Sequence, residues 1–154
     1  MENLLLACPA QRGESFLAAL SGIGVRAEEA RNRDTAMNLL RFVGLEQKAS
    51  RFAGELSYGE QKLLSLVTCL ATGARILIVD EPIAGVHPAM ADHILGLLRQ
   101  LGDTGKAIVF VEHDIGAVRR TADLVIVMDG GRVIARGTPG EILERPEIIE
   151  AYLA

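Results

Sequence analysis

The chain has no tryptophan, only two tyrosines and four phenylalanines, and just two cysteines among 154 residues. With aromatics this scarce, aliphatic side chains must build the core. The 49% hydrophobic content is enough for one domain of this length and excludes a disordered chain. Cys8 and Cys69 lie far apart, with neither CxxC nor Cys/His spacing. No zinc site or disulfide framework is indicated, and both thiols are expected free in a reducing compartment. Nor is there a basic block: net charge is −4, and the electrostatic footprint of a nucleic-acid binder is missing. No apolar run reaches the length of a membrane span. The opening "MENLLLACPAQRGE" has no basic n-region, and its apolar run is too short for a secretory leader, so the expected location is cytoplasmic.

What is present is an alternation of helix and strand patterns. Residues 1–54 read as helical with polar breaks. "DTAMNLLRFVGL" sets Ala36, Met37, Leu40 and Val43 on one face, with Asp34 as N-cap, and the charged "RAEEARNRD" before it reads as a solvated helix face. A helix is expected from Ser57 to about Thr72. "RILIVDEP" follows as an aliphatic strand of the kind buried on both faces of a parallel sheet. Pro88 opens a helix with Ile94, Leu97, Leu98 and Leu101 inward. "AIVFVEHD" is a second strand, "IGAVRRTA" a short helix, and "LVIVMDGGRVIARG" a hairpin. The tail, "TPGEILERPEIIEAYLA", reads as two helical pieces split by Pro146. Strands alternating with helices imply an α/β fold with a parallel sheet.

Ligands of open parallel sheets bind at the carboxyl ends of the strands. Asp80-Glu81 and Glu112-His113 fall there, with Asp129 near the third strand. An aspartate at such an end can hold Mg²⁺ beside a phosphate, usually through water. An adjacent glutamate, pointing to another side, can take a proton from an attacking water, and His113 can bond a phosphate or orient that water. The structural alternative is that the acids cap the next helix or face solvent.

"ELSYGEQKLLSL", residues 55–66, poses a similar choice. Ser57 and Glu60 form an S-x-x-E capping box. That box accounts for those two residues but not for Gly59, a poor helix former in a first turn. A helix N-terminus is also an anion site, and Ser57, Gly59 and Gln61 read as an open row of hydroxyl, bare backbone and amide for a phosphate.

Taken together, these stretches resemble the ABC-type ATPases. "LSYGEQ" is similar to their signature motif, "ILIVDEP" to the Walker B strand, "IAGVHP" to the D-loop and "VFVEHD" to the switch-histidine strand. The order and spacing of all four match over nearly the whole chain. The flanks, "ENLLLACPAQRGE", "DGGRVIARGTPGEI" and "PEIIEAYL", resemble the ATP-binding subunits of branched-chain amino acid importers. The resemblance implies an α/β, P-loop NTPase-like parallel sheet with helices on both faces, incomplete, plus an N-terminal helical subdomain. It implies a helical part over 1–73, a Walker B and switch half over 74–137, and a helical tail over 138–154.

By motif, Asp80 is similar to the Mg²⁺-associated acid, Glu81 to the general base and His113 to the γ-phosphate switch. Ser57, Tyr58, Gly59, Glu60 and Gln61 are similar to the signature residues that clasp ATP held by a second ATPase subunit. The implied partners are that second subunit and transmembrane permease subunits, giving peripheral membrane association. His87 departs from the family's usual D-loop aspartate, which puts the cross-dimer contact there in doubt. Tyr58 replaces the first glycine of the commonest signature.

One part of the pattern is missing. The three lysines, Lys48, Lys62 and Lys106, fit no GxxxxGK[ST] phosphate loop. The resemblance therefore implies the C-terminal portion of a longer subunit, inactive alone, with a strand missing between 107–111 and 124–128. A non-catalytic module that completes a partner's nucleotide site is the alternative. A chromosome-structure or DNA-repair ATPase ranks last, since there is neither a long heptad run nor a basic face.

Overall fold

The computed structural model describes residues 1–9 and 25–146, with residues 148 and 150. Two compact units result, Met1–Leu77 and Ile78–Ala154. Parts of the flanking resemblance, over 10–14 and most of 146–153, lie outside the described residues.

The first unit is helical. Its members are α1 (Glu2–Ala7), α2 (Val25–Phe42) and α3 (Tyr58–Ala71), with single 3₁₀ turns at Glu46–Lys48 and Ala53–Glu55. On α3, Leu63, Leu66, Val67 and Leu70 recur at helical spacing and are all buried. They pack with α1 and α2, where Leu4, Ala36 and Leu40 are fully or almost fully buried. The Met1 ammonium donates to the Ala49 carbonyl at 3.0 Å and ties the chain start to the loop after α2. Asp34 is not an N-cap. It sits exposed in the middle of α2, because the alanines, glutamates and arginines ahead of it are good helix formers and carry the helix back to Val25.

The second unit is α/β and begins within strand β1 (Ile76–Asp80). β1 leads through a turn to α4 (Pro88–Asp103), then β2 (Ala107–Val111), α5 (Ile115–Thr121), β3 (Val125–Asp129), β4 (Arg132–Gly137) and α6 (Pro139–Ile142). On α4, Ile94, Leu95, Leu97, Leu98 and Leu101 are buried, the stripe the spacing predicts plus one neighbour. The helix crosses over between β1 and β2, which pair. Glu81 N–H, just past the end of β1, donates to the carbonyl of Val111, the last residue of β2, at 2.9 Å. The two carboxyl ends therefore lie side by side and the strands are parallel.

Strands β3 and β4 form a separate antiparallel pair. Asp129 faces Arg132 across Gly130-Gly131, whose φ values of 52° and 76° suit the two-residue turn that right-twisted strands require. Val125, Val127 and Ala135 from this hairpin pack with Ile142, Leu143 and Ile148.

The aliphatic runs of β1 and β2 are expected to be buried on both faces, and they are not. Leu77 is buried, but Ile76 and Ile78 are exposed, Ile78 by 75%, and Val109 and Val111 are exposed beside them. Among the described residues β2 pairs only with β1, and β3 only with β4. The α/β class holds, and among the described residues β1 and β2 present a bare apolar face with open strand edges. Such surfaces recruit other chains. The purified chain is expected to self-associate in analytical ultracentrifugation, and Ile78→Ser with Val111→Thr is expected to shift it to smaller species. A monodisperse wild-type monomer with one cooperative melt contradicts this.

Candidate functional site

In the first unit, the tip of α3 carries the five signature-like residues. Ser57 is the N-cap, in extended conformation, and closes a reciprocal capping box with Glu60. Glu60 Oε2 accepts the Ser57 N–H at 3.0 Å, and its Oε1 is held by the Lys48 ammonium. Lys48 above all, and then the Ser57 N–H, hold the Glu60 carboxyl below the usual carboxylate range. Tyr58 is exposed, with the Lys62 ammonium 5.4 Å from its ring centre, a cation–π contact.

The row expected to stand open is open only in part. Ser57 and Tyr58 are exposed, but Gly59 is buried. It lies one turn ahead of Leu63, on the flank that joins the core. The Gln61 amide does not reach outward either. It donates to the carbonyls of Leu56 at 3.0 Å and Ala53 at 3.4 Å, binding the preceding 3₁₀ turn to the helix. The Tyr58 and Gly59 N–H groups meet no backbone acceptor among the described residues, as expected for a first helical turn.

In the second unit, the carboxyl ends of β1 and β2 gather Asp80, Glu81, Glu112 and His113. His113 Nδ1 lies 3.7 Å from Glu81 Oε1, and both side chains are more than half exposed. Asp80, the last residue of β1, is exposed next to them. Glu81 has φ of 44°, the only non-glycine in the left-handed region among the described residues. Glu112 Oε1 accepts the Ile83 N–H at 3.0 Å, while its Oε2 is buried without a donor among the described residues. Asp114 does not join the group: it caps α5 by accepting from Ala117 N–H at 2.9 Å. Asp129 ends β3 and sits opposite Arg132 in the hairpin register.

This edge can do two kinds of chemistry. The paired, solvent-accessible carboxylate and imidazole can share a proton with a water between them. Asp80 offers one exposed carboxylate. No group of three His, Cys, Asp or Glu residues suited to a metal occurs among the described residues. A single carboxylate fits Mg²⁺, which keeps most of its waters and takes its other ligands from phosphates. It does not fit an ion that needs an all-protein cage.

Sequence reasoning assigned no part to Lys48, to the bracing bonds of Gln61, or to the contact of Glu112. None has a local signal, because each partner lies several to 29 residues away. His87 is also resolved. Its Nδ1 accepts the Ala89 N–H at 3.3 Å, so it does the capping work an aspartate would do at the start of α4, with Pro88 in the first helical position.

A family model described as "AAA domain, putative AbiEii toxin, Type IV TA system" matches residues 15–119. The high-affinity branched-chain amino acid transport ATP-binding protein BraF of Pseudomonas aeruginosa is 36% identical over 99% of this chain and 61% of its own length. The probable branched-chain amino acid transport ATP-binding protein LivG of Archaeoglobus fulgidus is 36% identical over 99% of the chain and 59% of its own length. Among solved structures, the ADP conformation of MJ1267, an ATP-binding cassette of an ABC transporter, superposes with a TM-score of 0.76. It is 30% identical over 98% of this chain and 62% of that one. The chain thus spans about three fifths of the length of the curated relatives it matches. No helix among the described residues is long and apolar enough to cross a membrane.

Two predictions follow from the local geometry. Because the folded Glu60 carboxyl ionises below its unfolded value, its contribution is present above the unfolded range near pH ~4.3 and is lost as pH falls through the folded value. Acid unfolding followed by circular dichroism is expected to be less steep in Glu60→Gln, and an unchanged acid limb contradicts the Lys48–Glu60 assignment. In urea, His87→Ala is expected to cost about 0.5–1 kcal/mol, while His87→Asp retains or raises stability. Equal destabilisation by both removes the capping role.

Proposed function

Because the chain belongs to the ATP-binding subunit family of ABC transporters, we propose that it carries the water-activating edge and the signature helix of an ATP-hydrolysing site that drives import of an amino acid. The observation that carries this is the Glu81–His113 pair, 3.7 Å apart at the joined carboxyl ends of two parallel strands, with Asp80 beside it. Glu81 takes the proton of the attacking water, and His113 contacts the terminal phosphate and keeps that water in line. Asp80 would hold Mg²⁺, which would supply charge neutralisation to the phosphates. Ser57 and the free N–H groups of the α3 tip meet ATP carried by a second ATPase subunit, with Tyr58 at the rim. Glu60 and Gln61 act there by holding the tip in shape, through Lys48 and through the Ala53 and Leu56 carbonyls.

In this reading residues 1–73 form the helical part, 74–137 the hydrolytic half and 138–154 a tail. The partners are a second ATPase subunit and transmembrane permease subunits, with the chain on the cytoplasmic side of the membrane. The amino acid assignment comes from the similarity to importer ATP-binding proteins, BraF and LivG among them. The absence of a GxxxxGK[ST] loop from these 154 residues favours a second reading as well. In that reading the chain completes a partner's nucleotide site without turning over ATP itself.

ATP turnover separates the two. Alone, the chain is expected to hydrolyse no more ATP than its Glu81→Gln variant. Co-expressed with a polypeptide carrying a GxxxxGK[ST] strand and loop, it is expected to gain an activity that Glu81→Gln lowers by about 10²–10⁴-fold. Glu81-dependent turnover by the chain alone contradicts the division of labour. A complemented activity indifferent to Glu81→Gln contradicts the catalytic role.

A further inference from the structure

We propose that Glu112 is a positioning residue: its carboxylate locks the turn after β1 and so fixes the backbone conformation from which Glu81 faces His113. Glu81 bridges a strand and a turn in a conformation L-residues avoid, with φ of 44°. A non-glycine residue persists there only where its surroundings over-determine it. Three constraints meet at this point. On one side, the Glu81 N–H is held by the Val111 carbonyl at 2.9 Å. Immediately after it, Pro82 disfavours the ordinary right-handed helical alternative for the residue that precedes it. Two residues on, the Ile83 N–H is held by Glu112 Oε1 at 3.0 Å. The strained residue is therefore clamped between two bonds to consecutive residues at the end of the neighbouring strand, one to the backbone of Val111, its last residue, and one to the side chain of Glu112 just past it. Ala84 N–H closes the turn onto the Glu81 carbonyl at 3.2 Å.

The second oxygen of Glu112 points to the same conclusion. Oε2 is buried with no donor among the described residues, which costs folding energy that a smaller or apolar residue would not spend. An acceptor kept at such a cost, at the edge where Asp80, Glu81 and His113 converge, indicates a role in holding the site. The bond spans 29 residues of sequence and joins the two strand ends whose side chains must act together. Glu112 touches no reacting atom in this scheme and acts through Glu81.

The proposal takes the importance of Glu81 from the function proposed above, but its test reads the turn and not turnover. Residue-resolved hydrogen exchange on the full 154-residue chain compares wild type, Glu112→Gln and Glu112→Ala. Glutamine keeps an acceptor of the same length, and alanine removes it. In Glu112→Ala the amides of Glu81 and Ile83 are expected to exchange at least tenfold faster, with exchange in α4 and in the α3 core unchanged. In Glu112→Gln they are expected to stay within about threefold of wild type. Unchanged exchange at Ile83 in the alanine variant overturns the lock. So does acceleration spread evenly over the chain, or a glutamine variant that behaves like alanine. The two failures are distinguishable: an exchange result of this kind removes the lock and leaves Glu81 as base, whereas complemented turnover indifferent to Glu81→Gln removes the base and leaves the lock.

Discussion

Everything at the candidate site depends on the parallel pairing of β1 with β2. Glu81 and His113 are 32 positions apart, and they meet only because α4 returns the chain so that both strands end at one edge. The bond from Glu81 N–H to the Val111 carbonyl sits at that edge and sets the register of the two acids and the imidazole. The crossover is held from behind by the apolar stripe of α4, five buried side chains that pack toward β2 and α5. Packing of this helix thus places the residues of the candidate site. The left-handed Glu81 accompanies a sharp turn of the chain at a strand end, where Asp80 and Glu81 are adjacent side chains.

The tip of α3 shows a different economy. The residues similar to the signature motif first satisfy the helix itself. Ser57 and Glu60 cap it, Lys48 neutralises Glu60, and Gln61 fastens the turn before it. What remains for a ligand is the Ser57 side chain, the Tyr58 rim and the positive end of the helix. Gly59, buried in the first turn, is not among what remains for a ligand. An anion site built from backbone needs a rigid first turn, so capping and binding are not competing explanations here.

Much of this was legible in the sequence, for definable reasons. The spacing of Ile94, Leu97, Leu98 and Leu101 gave the α4 face, and Asp-Gly-Gly gave the hairpin, because both signals are local. The acids at strand ends could be read because aliphatic runs mark strands and a parallel sheet gathers their carboxyl ends. Other features were hidden. The left-handed Glu81, the Glu112–Ile83 bond and the Lys48–Glu60 pair depend on neighbours brought together by folding. Asp34 misled because a good capping residue says nothing about whether the preceding segment is already helical. Exposure of Ile78 and Val111 was also out of reach: an aliphatic run records what a strand is built to bury, not whether a cover is present.

That bare face and the catalytic edge belong to one account, in which these residues enclose only part of a triphosphate. The most direct test is a structure of the complemented ATPase with Mg²⁺ and a non-hydrolysable ATP analogue. The account predicts the terminal phosphate above the carboxyl ends of β1 and β2, with Glu81 and His113 flanking it and Asp80 on the metal side. A triphosphate seated elsewhere, with Glu81 and His113 facing bulk water, would contradict it.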